Sequence, residues 1–245
     1  YVARTSIVKS SKNINEQIKE IIETLTKNSK KSSYIRDGFK PIIPQNTKVI
    51  DIKLDNEILT INFSKELLNI DKDNEEKMIE AIIYSLTEIK EIKKIKILVE
   101  NNPLTKLPNS QKKLPDYLDK NYGINKIYNL DSIKESTKTT IYYLSKFQDY
   151  HYFVPVTKIN NEKTEKVEII IKELKSTPIY QTNLISYLAA SANITNYELL
   201  ENGIKLSFNN YLIANIKEEE ALEEVKYSIA LSLRDTYGIN EVIFS

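Results

Sequence analysis

The stretch Leu59-Thr60-Ile61-Asn62-Phe63-Ser64 decides the fold, because it returns later in the chain as Ile204-Lys205-Leu206-Ser207-Phe208-Asn209. Both copies alternate apolar and polar residues, the pattern of a strand with one buried face. Segments before and after each copy also match in the same order. The chain therefore reads as two copies of one compact unit. A solenoid is excluded by the period, since solenoid repeats run about 20 to 50 residues.

Around the first copy, Ile50, Ile52 and Leu54 alternate with Asp51, Lys53 and Asp55. Asp55-Asn56-Glu57 supplies the turn of a hairpin. Downstream, Met78, Ile79, Ile82, Ile83, Leu86 and Ile89 recur at helical spacing, which predicts a helix over 74–91 behind an acidic first turn. Residues 93–99 close the unit as a strand. Upstream, 1–8 is β-branched and reads as a strand. A helix capped by Asn13 or Asn15 follows, with Ile18, Ile21, Ile22 and Leu25 inward. Residues 29–46, with Gly38, Pro41 and Pro44, read as a loop, and 101–130, with four Pro or Gly, as an extended tail and connector.

The second copy predicts strands over 139–144 and 151–159, a helix over 165–174, a hairpin of 194–200 and 203–208 around Glu201-Asn202, a helix over 218–233 and a last strand over 241–244. Phe153-Val154-Pro155-Val156-Thr157 lies over Tyr1-Val2-Ala3-Arg4-Thr5, and Tyr227-Ser228-Ile229 over Tyr84-Ser85-Leu86. The later helix is expected to be longer by about one turn before Tyr237. The strand over 139–144 has no counterpart ahead of Tyr1, so the first copy is expected to lack its opening strand. The expected fold is α+β: domains over 1–130 and 131–245, each a small, mostly antiparallel sheet with two helices on one face. The opposite face and the sheet edges are left as interaction surfaces.

Composition narrows the function. With 35 basic and 34 acidic residues the net charge is +1, so no overall field draws in nucleic acid or an anionic membrane. There are no cysteines, which removes disulfides, thiolate metal sites and cysteine nucleophiles. No apolar run is long enough to span a bilayer. The chain opens at Tyr1 and its only methionine is Met78, which reads as a piece of a longer product with room upstream for an export signal, lipid anchor or span.

Candidate chemistry is sparse. His151 is the only histidine and has no nucleophile or second ligand at a recognisable spacing. Asp71, Asp73, Glu75 and Glu76, and likewise Glu218-Glu219-Glu220, sit at helix starts, where negative charge is expected. They lack the spacing of a calcium loop. Lys90, Lys93, Lys94 and Lys96 flank a strand that reads as an edge and serve either to block pairing or to bind a polyanion. Tyr142, Tyr143, Tyr150 and Tyr152 crowd one region, as strand formers or as a stacking surface for sugars or a protein. No phosphate loop, nucleophile elbow or metalloprotease helix is present, and four glycines leave little material for a phosphate cradle. The residues thus assign no catalytic, cofactor or metal site.

Ile141-Tyr142-Tyr143, Phe153-Val154-Pro155-Val156-Thr157-Lys158, the hairpin ending Ile204-Lys205-Leu206-Ser207-Phe208, Val225-Lys226-Tyr227-Ser228-Ile229 and Ile239-Asn240-Glu241-Val242 together resemble the GerM (sporulation and germination) domain. The first copy resembles it through Leu59 to Ser64, Ile82-Ile83-Tyr84-Ser85-Leu86-Thr87 and Ile92-Lys93-Lys94-Ile95-Lys96-Ile97. Leu107-Pro108-Asn109-Ser110 and Leu114-Pro115 resemble the tail that follows this domain. The resemblance implies a fold similar to the ring-building motif and a spore-forming Gram-positive source. It also implies a non-enzymatic lipoprotein-like or membrane-spanning envelope protein, exported and held at the membrane. Its expected role is as a scaffold between mother-cell and forespore membranes. The expected partners are other sporulation envelope proteins or further copies of itself, with no cofactor. The alternative is a module that binds peptidoglycan through an exposed sheet face.

Overall fold

The computed structural model describes residues 1–7, 10–130, 136–176, 183–209 and 223–245. It is α+β and divides into two compact units, Tyr1–Tyr122 and Gly123–Ser245. The division falls ahead of the expected boundary at 130 because Ile127–Asn129 pairs with a strand of the second unit.

The first unit has α1 (Ile14–Leu25), β1 (Val49–Asp55), β2 (Ile58–Phe63), α2 (Lys72–Leu86), β3 (Lys94–Val99) and β4 (Asn102–Pro103). Asn13 caps α1, its side chain accepting the Glu16 N–H at 3.1 Å. β1 and β2 join through Asn56 and Glu57, both at positive φ (47° and 63°), the left-handed pair that a two-residue hairpin turn requires. The Glu57 carbonyl then accepts the Lys93 N–H at 2.9 Å, which seats the start of β3 parallel to β2. Strand order is β1-β2-β3-β4. Leu59, Ile61, Phe63, Ile95, Ile97 and Val99 face inward, against Ile18 and Ile22 of α1 and Met78, Ile79, Ile82 and Ile83 of α2.

Two expectations for this unit change. Residues 1–7 do not form a strand; they hold only a single bridge, at Arg4, and a strand exists only by continuous pairing. The second helix stops at Leu86, short of 91, because Thr87 turns its hydroxyl back onto the Ile83 carbonyl at 2.7 Å and Ile89 N–H closes a turn on Leu86.

The second unit has β5 (Ile127–Asn129), β6 (Thr137–Phe147), β7 (Tyr150–Asn160), α3 (Lys166–Lys175), β8 (Ile194–Leu200), β9 (Gly203–Phe208), α4 (Glu223–Tyr237) and β10 (Glu241–Phe244). Aligned on Tyr84 and Tyr227, α4 runs on to Tyr237 where α2 stops at Leu86, so the later helix has the expected extension before Tyr237; its expected start at 218 lies outside the described residues. Gly238, at φ 70°, ends α4 with its N–H on the Arg234 carbonyl at 2.8 Å.

In place of one sheet there are two, β5-β7-β6 and β10-β9-β8. The sheets are mixed, with β5–β7 and β9–β10 parallel and both hairpins antiparallel. Pro155 is tolerated within β7 because it faces Tyr142 at a pair whose N–H groups point away from each other. Thr139–Ser145 is buried at every position, so β6 is covered on both faces and the open face expected there does not exist.

Gly203 is packed where a Cβ would stand 3.0 Å from the Glu241 carbonyl oxygen. Gly203→Ala is therefore expected to push β10 away from β9 and to cost about 2 kcal/mol. Urea denaturation measures it; an unchanged midpoint would show that the strand pair yields freely.

Candidate interaction surfaces

The acidic residues of the α2 start separate into different roles. Asp71 caps the helix without a side-chain bond, and Asp73 is exposed. Glu75 is 2% exposed. Its Oε2 accepts the Asn109 N–H at 2.8 Å and its Oε1 the Ser110 N–H at 3.0 Å. Burial pushes its carboxyl up, but the hydrogen bonds from Ser110 and Asn109 outweigh burial and hold it below the usual glutamate value. Glu76 pairs with Lys112 at 2.7 Å. The cluster is thus a clamp on the tail, with Asn109 Nδ2 adding a bond to the Ile70 carbonyl at 2.6 Å. Glu218-Glu219-Glu220 lies outside the described residues.

The clamped tail seals a sheet edge. Ile95 and Leu118 exchange N–H···O bonds at 2.8 Å, Leu104 N–H reaches the Ile97 carbonyl at 3.0 Å, and Leu107, Leu114 and Leu118 enter the core. β3 is therefore not an open edge. Lys90, Lys93 and Lys94 remain exposed, and Lys96 is half-buried. In the second unit the outer edge of β6 is closed differently. Ser232 Oγ and Thr236 Oγ1, one turn apart on α4, accept the Tyr142 and Thr140 N–H groups at 2.8 and 3.3 Å, and Ile185 pairs with Leu144. A strand edge with satisfied donors offers nothing to an added strand. β1 and β8 have no strand on their outer sides among the described residues, and each carries a bulge near its start, between Val49 and Asp51 and between Ile194 and Asn196.

The tyrosine cluster is largely internal. Tyr142 and Tyr143 are each 1% exposed. Tyr142 donates its hydroxyl to Asp235 on α4, and Tyr143 donates to Glu173 on α3 at 3.3 Å. Glu173 is also paired with Lys158, whose ammonium lies 5.9 Å from the Tyr143 ring centre. Burial, followed by the Glu173 charge, raises the Tyr143 hydroxyl far above its ordinary value. These two rings hold helices to a strand and do not stack on a ligand. Tyr150 and Tyr152 are half-buried, with ring centres 6.5 Å apart. His151 Nε2 meets the Tyr187 hydroxyl at 3.0 Å, without a carboxylate or nucleophile in that contact. No group of three or more His, Cys, Asp or Glu among the described residues is arranged to hold a metal. None of the described helices is long and apolar enough to cross a membrane.

Among the described residues, the β1-β2-β3 and β8-β9-β10 sheets present related faces away from their cores. That arrangement defines a class: paired small α+β modules that present sheet faces. Residues 1–105 match the model of the Germane family, described as sporulation and spore germination. It is 27% identical over 230 residues to the spore germination protein GerM of Bacillus subtilis, covering 91% of this chain and 63% of that protein. The chain thus spans less than two thirds of that relative's length. Its fold matches the tandem GerMN domains of the B. subtilis sporulation protein GerM with a TM-score of 0.88 at 23% identity, covering 100% of this chain and 85% of that structure.

Proposed function

We propose that this protein is a non-enzymatic scaffold of the sporulating cell envelope, acting during spore formation or germination. The observation that carries the reading is the match of the whole chain to the tandem GerMN fold together with 27% identity to GerM over most of its length. In this reading the full-length protein is exported and held at a membrane by an N-terminal anchor, and its modules stand between the mother-cell and forespore membranes. In the same reading the modules resemble the ring-building motif, and assembly with other envelope proteins is their working role. The clamped tail and the helix-sealed β6 edge support it, because each closes a sheet edge and leaves sheet faces as open surfaces.

The alternative, peptidoglycan binding through an exposed sheet face with its tyrosines and lysines, loses Tyr142 and Tyr143, which are buried, and keeps Lys90, Lys93 and Lys94, which are exposed. Deletion of the gene tests the scaffold reading. Heat-resistant spore counts, or outgrowth of those spores, are expected to fall while vegetative growth is unchanged. Normal sporulation and germination in the deletion strain would overturn it. Sedimentation of the purified protein with cell wall would move the assignment to the wall-binding role.

A further inference from the structure

The two open sheet faces come from a duplication, so they can be compared position by position. In the first unit the residues on the face away from the core are Asp51, Lys53 and Asp55 on β1, Ile58 and Thr60 on β2, and Lys94, Lys96 and Leu98 on β3, while Asn62 on the same face is covered by its hydrogen bonds with Asn101. In the second they are Asn196, Glu198 and Leu200 on β8, Gly203, Lys205 and Ser207 on β9, and Glu241 and Ile243 on β10. Registers align Lys53 with Glu198 and Lys94 with Glu241, so the charge is reversed at both flanks of the face. Lys96 is replaced by Ile243, and Asp55 by Leu200. The first face carries three lysines against Asp51 and Asp55, and the second carries Lys205 against Glu198 and Glu241. Lys53, Lys94, Glu198 and Glu241 are exposed and have no ion pair among the described residues. Leu200 and Ile243 are also exposed, at 40% and 37%.

We propose that the β1-β2-β3 face of one copy docks on the β8-β9-β10 face of a second copy. Like faces repel at the flanks, whereas unlike faces set Lys53 and Lys94 against Glu198 and Glu241. Leu200 and Ile243 lie against the apolar positions Ile58 and Leu98. The contact is heterologous, and the pair keeps one unused face of each kind, one on either copy, so association propagates into a ring or a filament. The inference deepens the scaffold reading by naming a second copy as a partner.

Sedimentation velocity of the purified chain over a concentration series tests it. Wild type is expected to form salt-sensitive assemblies, weakening as ionic strength rises, since the flanking charges are exposed. K53E/K94E and, separately, E198K/E241K are each expected to weaken association about tenfold. Mixing the two variants is expected to restore it, because the reversed faces then match one another. Wild type that stays monomeric at all concentrations and low salt, variants that assemble like wild type, or a mixture that fails to recover would each overturn the inference. A monomeric protein whose deletion still abolishes sporulation sinks this proposal alone and leaves the scaffold reading standing.

Discussion

Phe63→Ala is expected to destabilise the first unit by about 4 kcal/mol, whereas Phe208→Ala, at the repeat-equivalent position, should cost less than half as much. Phe63 is fully buried at the end of β2, between the two helices and β3, and deleting its ring leaves a cavity the sheet cannot close. Phe208 ends β9 in the same way but is half-buried, stacked on Phe244 with ring centres 6.4 Å apart. The same residue thus closes one core and only lines the margin of the other. Urea denaturation of both variants measures the difference; equal losses would mean that the second core is as closed around Phe208 as the first is around Phe63.

Glu75→Ala is expected to cost about 3 kcal/mol and to release the tail from the β3 edge. The carboxylate accepts two backbone N–H groups in a buried site, and removing it strands both donors. Hydrogen exchange reads the local effect: the Asn109, Ser110 and Leu118 amides should lose protection while the α1 amides keep theirs. The pH dependence has a defined sign. Because the folded carboxyl titrates below its unfolded value of about 4.3, its stabilisation is fully present above that value and disappears as pH falls through the lower, folded one. The difference between wild type and Glu75→Gln should therefore be flat near neutrality and shrink only in acid. A difference that grew on acidification would contradict the clamp.

The hairpins were legible because both depend on local pattern. Ile52 and Leu54 against Leu59 and Ile61, with a polar turn between, determine strand bounds without knowledge of the rest of the chain. The second sheet of the second unit was not legible in this way. Ile127–Asn129 sits in a stretch whose prolines and glycine read as connector, and it is a strand only because Lys158–Asn160, distant in sequence, pairs with it. Glu75 shows the same limit: at a helix start a glutamate is expected on dipole grounds alone. Its burial comes from a tail more than thirty residues later. For the tyrosines a signal did exist. Ile141-Tyr142-Tyr143-Leu144 breaks the alternation seen in β1, and a continuous apolar run is the mark of a strand covered on both faces. The sealed β6 edge could not be foreseen, since Ser232 and Thr236 look like ordinary polar helix positions until the helix is laid along the strand.

In the proposed function this tandem works in the envelope of the sporulating cell. Time-lapse imaging of a functional fluorescent fusion of the full-length protein tests it most directly. Signal concentrated at the membranes surrounding the engulfed forespore is the predicted result, and a uniform signal over the envelope of growing cells, unchanged on entry into sporulation, would contradict it.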